Sequence, residues 1–171
     1  DDTAQNIAGA VGGAVQSVPT GGSYATAVRA NNIIAYFLPS GIAGGLYGQV
    51  QVAAGENAFG NKYFGGRLGY AAGPFDVAGA FGRTQLTNDL DATNYNFGGS
   101  WDFKFMKLMG FYGRLEVGQT DQDNWFIGAQ APLGLWTFKA TYGEVDRSGG
   151  PVNNQKASQI AVGAVYDLSK R

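Results

Sequence analysis

Residues 93–105 read Thr-Asn-Tyr-Asn-Phe-Gly-Gly-Ser-Trp-Asp-Phe-Lys-Phe. The odd positions are Thr93, Tyr95, Phe97, Gly99, Trp101, Phe103 and Phe105, and the even ones are Asn94, Asn96, Gly98, Ser100, Asp102 and Lys104. Successive side chains of a strand point to opposite faces, so this stretch predicts a β-strand with one aromatic and one polar face.

The same period of two runs through the chain from about residue 31 onward. Leu46, Gly48, Val50 and Val52 alternate with Tyr47, Gln49 and Gln51; Phe64, Gly66, Leu68 and Tyr70 with Tyr63, Gly65, Arg67 and Gly69. Phe75, Val77, Gly79 and Phe81 alternate with Asp76, Ala78, Ala80 and Gly82. Phe111, Gly113, Leu115 and Val117 alternate with Tyr112, Arg114, Glu116 and Gly118, which predicts Leu115 and Val117 outward and Arg114 and Glu116 inward. Trp136, Phe138, Ala140 and Tyr142 alternate with Thr137, Lys139 and Thr141, and Ile160, Val162, Ala164 and Tyr166 with Gln159, Ala161 and Gly163. With two less regular segments at residues 32–39 and 125–133, about nine strands are expected, most of them near the ~9–11 residues a tilted membrane strand needs.

Short connections are expected at residues 40–44, 73–74, 106–109 and 132–134, and longer polar ones at 56–61, 85–92, 121–124 and 146–156. Sorting of short turns to one rim and long loops to the other is how membrane barrels are built. The aromatic face ends repeatedly in Tyr, Phe or Trp, as an interfacial girdle does, while the polar face carries many glycines and several charges. The predicted class is all-β, a transmembrane antiparallel β-barrel wall over residues 31–171. Residues 1–30 lack the alternation and are rich in Gly, Ala, Ser and Thr, which predicts a loop; long loops of this kind are functional or disordered.

Composition narrows the function. The chain has no Cys and no His, so thiolate and imidazole metal sites and the commonest general base are excluded. A net charge of -1 gives no electrostatic footprint for nucleic acid. No Gly-x-Gly and no Gly-Lys-Ser/Thr occurs, so neither nucleotide fingerprint is present. Asp121-Gln122-Asp123-Asn124 begins like a calcium loop but has Phe126 where the sixth-position Gly belongs and Pro132 where the twelfth-position Glu belongs. No catalytic pair, metal or cofactor is expected. The chain opens Asp1-Asp2 with no initiator Met, and any leader is expected to have been removed.

The run Val28-Arg29-Ala30-Asn31-Asn32-Ile33-Ile34-Ala35-Tyr36, followed by a Pro-turn-Gly and strand at residues 39–47, resembles the general porins of β-proteobacteria. The end, Val165-Tyr166-Asp167-Leu168-Ser169-Lys170-Arg171, is similar to the same family, and the likeness covers roughly residues 24–171. The resemblance implies a homotrimer of sixteen-stranded barrels in the outer membrane, passing ions and small hydrophilic solutes and contacting lipid and lipopolysaccharide. It implies that these strands are the sixth to fourteenth and that residues 1–30 belong to the third extracellular loop, which folds inward and narrows the pore. Seven strands and the terminal aromatic of that pattern are missing, and an odd strand count does not close a bacterial single-chain barrel, so the chain is expected to be an internal portion.

On that reading the polar-face charges Arg67, Arg114, Glu116, Lys139 and Lys104 line the pore, and Arg29 reaches the constriction, as the matching family arginine does. Fixed charges act on passing ions at close range, and the cationic excess predicts a mild anion preference. The plain alternative is that these groups pair with one another, Arg114 with Glu116 for example, and only solubilise the wall. Two other functions fit the period: a soluble β-rich binding module, and a small closed barrel with a filled interior acting as adhesin or anchor. Detergent-dependent extraction separates the first from a porin, and single-channel current the second.

Overall fold

The computed structural model describes residues 32–39, 44–55, 62–87, 90–150 and 154–168. They form nine strands: β1 Ile33–Phe37, β2 Leu46–Ala53, β3 Lys62–Ala72, β4 Phe75–Thr87, β5 Leu90–Asp102, β6 Lys107–Val117, β7 Thr120–Leu133, β8 Trp136–Gly149 and β9 Gln155–Tyr166. Each strand pairs antiparallel with its sequence neighbours, in the order β1 to β9, so β1 and β9 are the two edges of the sheet. The constricting loop expected over residues 1–30, and Arg29 with it, lie outside the described residues.

The strands run further than their apolar cores. β4 and β5 are 13 residues long and β7 and β8 are 14, beyond the ~9–11 that a tilted crossing requires. Two of the expected loops are therefore strand. Most of residues 85–92 continue the β4–β5 ladder, and residues 121–124 lie inside β7, with the hairpin at Gly118–Gln119 instead. A backbone ladder needs paired N–H and C=O groups and no apolar side chain, so polar sequence extends the strands past the apolar band. Gly118 makes the tight hairpin possible at φ 61°, in the left-handed region. Gly118→Ala is expected to lower stability by ~1 kcal/mol, read as a lower urea midpoint for the full-length protein in detergent.

Directly opposed residues share a face, so the register sorts every strand. One face carries Val50, Leu68, Val77, Phe97, Ile127, Phe138 and Val162, with Trp101, Trp136 and Tyr166 toward the rim formed by the turns after β3, β5 and β7. The other carries Gln49, Arg67, Asn96, Ser100, Gln122, Lys139 and Gln159. Burial is inverted relative to a soluble sheet. The buried strand residues Ala53, Thr84, Ala92, Met109, Gln122, Phe126, Val145 and Ala161 all lie on the polar face. The apolar face is open, with Phe97 and Leu68 each 59% exposed and Val162 75%. Side chains converge on the inside of a curved sheet and diverge on the outside, so this asymmetry is that of a barrel wall whose polar face points inward.

Strand β6 corrects the expectation. Lys107 opposes Asp102, Met109 opposes Ser100 and Leu115 opposes Asn94, so Leu115 and Val117 share the polar face. Arg114 opposes Tyr95 and Glu116 opposes Thr93, on the aromatic face. The connection to β5 is also displaced: it spans residues 103–106, closed by the Phe103 N–H donating to the Met106 carbonyl at 2.8 Å. Packing supports the observed phase. Phe111 stacks on Phe126 with centroids 5.2 Å apart beside buried Met109, a cluster on the polar face that ties β6 to β7. The alternation misled because Arg114 and Glu116 lie near the charged end of β6, where the outward face has passed beyond the apolar band.

Candidate functional site

The sheet sorts its charge by face. Arg67, Lys107, Lys139 and Arg147 lie on the polar face, with Asp76 and Asp102 as the strand carboxylates there. On the aromatic face, at the end away from the short turns, stand Lys62, Arg83, Arg114 and Lys156 with Asp91, Glu116, Asp121, Asp123, Glu144 and Asp146.

Three of the outer cations are neutralised in place, whereas Lys62 has no carboxylate oxygen within 4.0 Å among the described residues. Arg83 Nη2 lies 2.5 Å from Asp91 Oδ2, and Lys156 Nζ 2.6 Å from Asp146 Oδ2. Arg114 sits at the centre of a network. Its Nε lies 3.1 Å from Glu116 Oε1, its Nη2 2.9 Å from Asp121 Oδ2 and its Nη1 3.7 Å from Asp123 Oδ2. Tyr95 donates its O–H to Glu116 at 2.7 Å, Tyr112 donates to Asp123 at 2.6 Å, and Tyr142 donates to Glu144. These partners come mostly from neighbouring strands, and they link β4 to β5, β5 to β6, β6 to β7 and β8 to β9 where the wall leaves the apolar band. The pairing of Arg114 with Glu116 foreseen as the plain alternative is therefore present, on the face opposite to the one expected.

The polar-face cations stand differently. None of Arg67, Lys107, Lys139 and Arg147 has a carboxylate oxygen within 4.0 Å among the described residues. The Nε atoms of Arg67 and Arg147 are buried with no hydrogen-bond acceptor among the described residues. Arg67 instead has its guanidinium carbon 5.5 Å from the centroid of the Tyr47 ring. Tyr47 in turn donates its O–H to Asp76 Oδ1 at 2.5 Å, across β3. Gln51 donates to the Tyr63 hydroxyl at 3.1 Å on the same face.

Of the residues singled out from the sequence, Arg67 and Lys139 lie on the polar face, and Arg114 and Glu116 do not. Lys104 is not in the wall: β5 ends at Asp102, and Lys104 sits exposed in the following turn at φ 73°, its N–H donating to Asp102 Oδ1 at 2.6 Å. Lys107 and Arg147 were missed. Continuing the alternation of Lys139 and Thr141 through Gly143 and Val145 reaches Arg147, but the polar run 146–156 reads as a loop until the ladder of β8 and β9 is seen. No group of metal-binding side chains occurs among the described residues.

The family profile describing Gram-negative porins matches residues 1–171. A curated relative, outer membrane porin protein 32 of Delftia acidovorans, is 28% identical over 160 residues, spanning 84% of this chain and 44% of that protein. Among solved structures, an anion-selective porin from Comamonas acidovorans superposes with a TM-score of 0.75 at 27% identity, over 84% of this chain and 46% of the other. OmpT of Vibrio cholerae, in a trimer form, superposes at a TM-score of 0.66 and 12% identity over 81% of this chain and 50% of the other, a likeness of fold alone. The chain thus spans about half the length of the relatives it matches, or less.

Proposed function

The chain belongs to the Gram-negative porin family of the bacterial outer membrane, and from that membership we propose that its strands wall part of a water-filled channel for passive diffusion of ions and small hydrophilic solutes, with a preference for anions. The polar face is the lumen wall and the aromatic face meets lipid. At the charged rim the neighbours are lipopolysaccharide head groups, and the assembly is a homotrimer. Residues 1–30 and Arg29 take the constricting place that the family resemblance implies.

The observation that carries the anion preference is the separation of paired from unpaired cations. Among the described residues, Arg83, Arg114 and Lys156 of the four outer-face cations are matched with carboxylates and Lys62 is not, while none of Arg67, Lys107, Lys139 and Arg147 on the lumen face is matched. An uncompensated cation in a narrow aqueous pore raises the local anion concentration and repels cations. The anion-selective porin among the structural relatives supports the same sign.

Reversal potentials across a potassium chloride gradient, measured on the full-length protein in planar bilayers, test this. Wild type is expected to favour chloride. Arg67→Gln is expected to shift the potential toward cations, and Arg114→Gln to leave it in place, because the Arg114 network faces away from the lumen. A cation-selective wild type, or equal shifts from the two variants, would contradict the assignment of faces to functions.

A further inference from the structure

Three residues on three adjacent strands form one construction on the polar face. Tyr47 of β2 opposes Gly69 of β3 in the ladder, Arg67 lies two residues from Gly69 on the same face, and Asp76 stands on β4. The Tyr47 ring lies across Gly69, where any Cβ would overlap it. Its hydroxyl ends on Asp76 Oδ1 at 2.5 Å, so the ring is fixed at its far end as well as at its backbone. Arg67 has its guanidinium 5.5 Å from the centroid of that ring and has no carboxylate partner among the described residues.

We propose that Tyr47 and Asp76 are positioning residues for Arg67: the ring anchored by Asp76 holds the guanidinium in the lumen, and so sets how strongly the pore prefers anions. This rests on reading the polar face as the lumen wall. The physical reason is conformational. Arg has a long, rotamer-rich side chain, and an unsupported one spreads its charge over many positions. A ring contact restricts it, because the cation is attracted to the negative face of the π-system. A carboxylate in the same place would also restrict the side chain but would cancel its charge. Directing Asp76 to the tyrosine hydroxyl lets an acidic residue support the site without pairing with the arginine. Gly69 belongs to the construction because only a residue without a side chain leaves room for the ring beneath Arg67.

The construction makes Asp76 behave against its charge. As a bare lumen carboxylate it would oppose anions, so any neutral replacement would raise anion preference equally. As an anchor it matters whether the replacement still accepts the tyrosine O–H. Asp76→Asn keeps a carbonyl acceptor and removes the charge, so anion preference rises. Asp76→Ala removes the same charge and the acceptor together, so the ring and Arg67 are released. The chloride-to-potassium permeability ratio of Asp76→Ala is expected to fall below that of Asp76→Asn by about 2- to 5-fold, the population factor that a cation–ring contact of this kind is worth.

The test uses the full-length protein in planar bilayers, reading reversal potential and single-channel conductance for these two variants, Tyr47→Leu, Arg67→Gln and the pair Tyr47→Leu/Arg67→Gln. Tyr47→Leu is expected to lower the ratio in the wild-type background and to leave it unchanged in the Arg67→Gln background, because coupled residues give non-additive effects. Equal ratios for Asp76→Asn and Asp76→Ala would overturn the proposal, as would a Tyr47→Leu effect that persists without Arg67, since that would make the ring a simple constriction. A wild type without anion preference that Arg67→Gln does not alter would instead overturn the reading of the lumen on which the proposal stands.

Discussion

Leu68→Arg is expected to lower the stability of the folded protein in a bilayer by ~2–4 kcal/mol, or about 30- to 900-fold in the folding equilibrium. Leu68 lies near the middle of β3 on the aromatic face, 59% exposed in the sheet and flanked on that face by Gly66 and Tyr70. Exposure there means contact with hydrocarbon, where a guanidinium loses its water and finds no partner. Asn96→Arg is the matched control. Asn96 lies on the polar face between Ala80 and Gly113 in the ladder, where a new cation meets water. It is expected to cost little and to raise anion preference. Urea titrations of folding into lipid vesicles, run on the full-length protein, compare the two. Equal costs would mean that the two faces do not meet different solvents, and the barrel reading of the register would fall with them.

Reversing two lumen charges is expected to invert the pore. Arg67→Glu with Lys139→Glu changes into carboxylates two of the four polar-face cations that are unpaired among the described residues. Lys107 and Arg147 then stand against the two introduced carboxylates together with Asp76 and Asp102. The described wall carries an anionic excess, and the preference should pass from chloride to potassium. The inversion should weaken as salt rises, because the screening length falls from ~10 Å at 0.1 M to ~3 Å at 1 M. The same reversal at the outer rim, Arg83→Glu with Lys156→Glu, should leave selectivity in place while removing the pairs to Asp91 and Asp146. Reversal potentials on the double variants read both outcomes. Retained anion preference in the lumen double variant would show that the strand charges do not set the selectivity.

Much of the fold was legible from alternation. The period of two around Phe97 and Trp101, Leu68 and Tyr70, and Phe138 and Val162 predicted nine antiparallel strands with those residues on one face, and the register agrees. Arg67 and Lys139 were legible for the same reason: each sits between apolar neighbours well inside a strand, where the alternation is clean. Strand ends were not. Polar runs near residues 85–92 and 121–124 look like loops, because a ladder that continues past the apolar band has no hydrophobic signature.

By itself the sequence determined the class of fold, the presence of one aromatic and one polar face, and the absence of His and Cys chemistry. These follow from local rules, since neighbouring side chains of a strand must diverge wherever the strand lies. Only the tertiary structure decided the phase of β6, and with it the placing of Arg114 and Glu116 outside and Leu115 inside. It also decided which cations are neutralised and which are not, and brought Tyr47, Arg67 and Asp76 together across three strands. A one-residue slip of register exchanges the two faces of a strand, and at the charged end of β6 the apolar Leu115 and Val117 face inward while Arg114 and Glu116 face outward, so composition alone selects the wrong face. Cross-strand pairing makes the choice, through the Phe111–Phe126 stack on one face and the Arg114 network on the other.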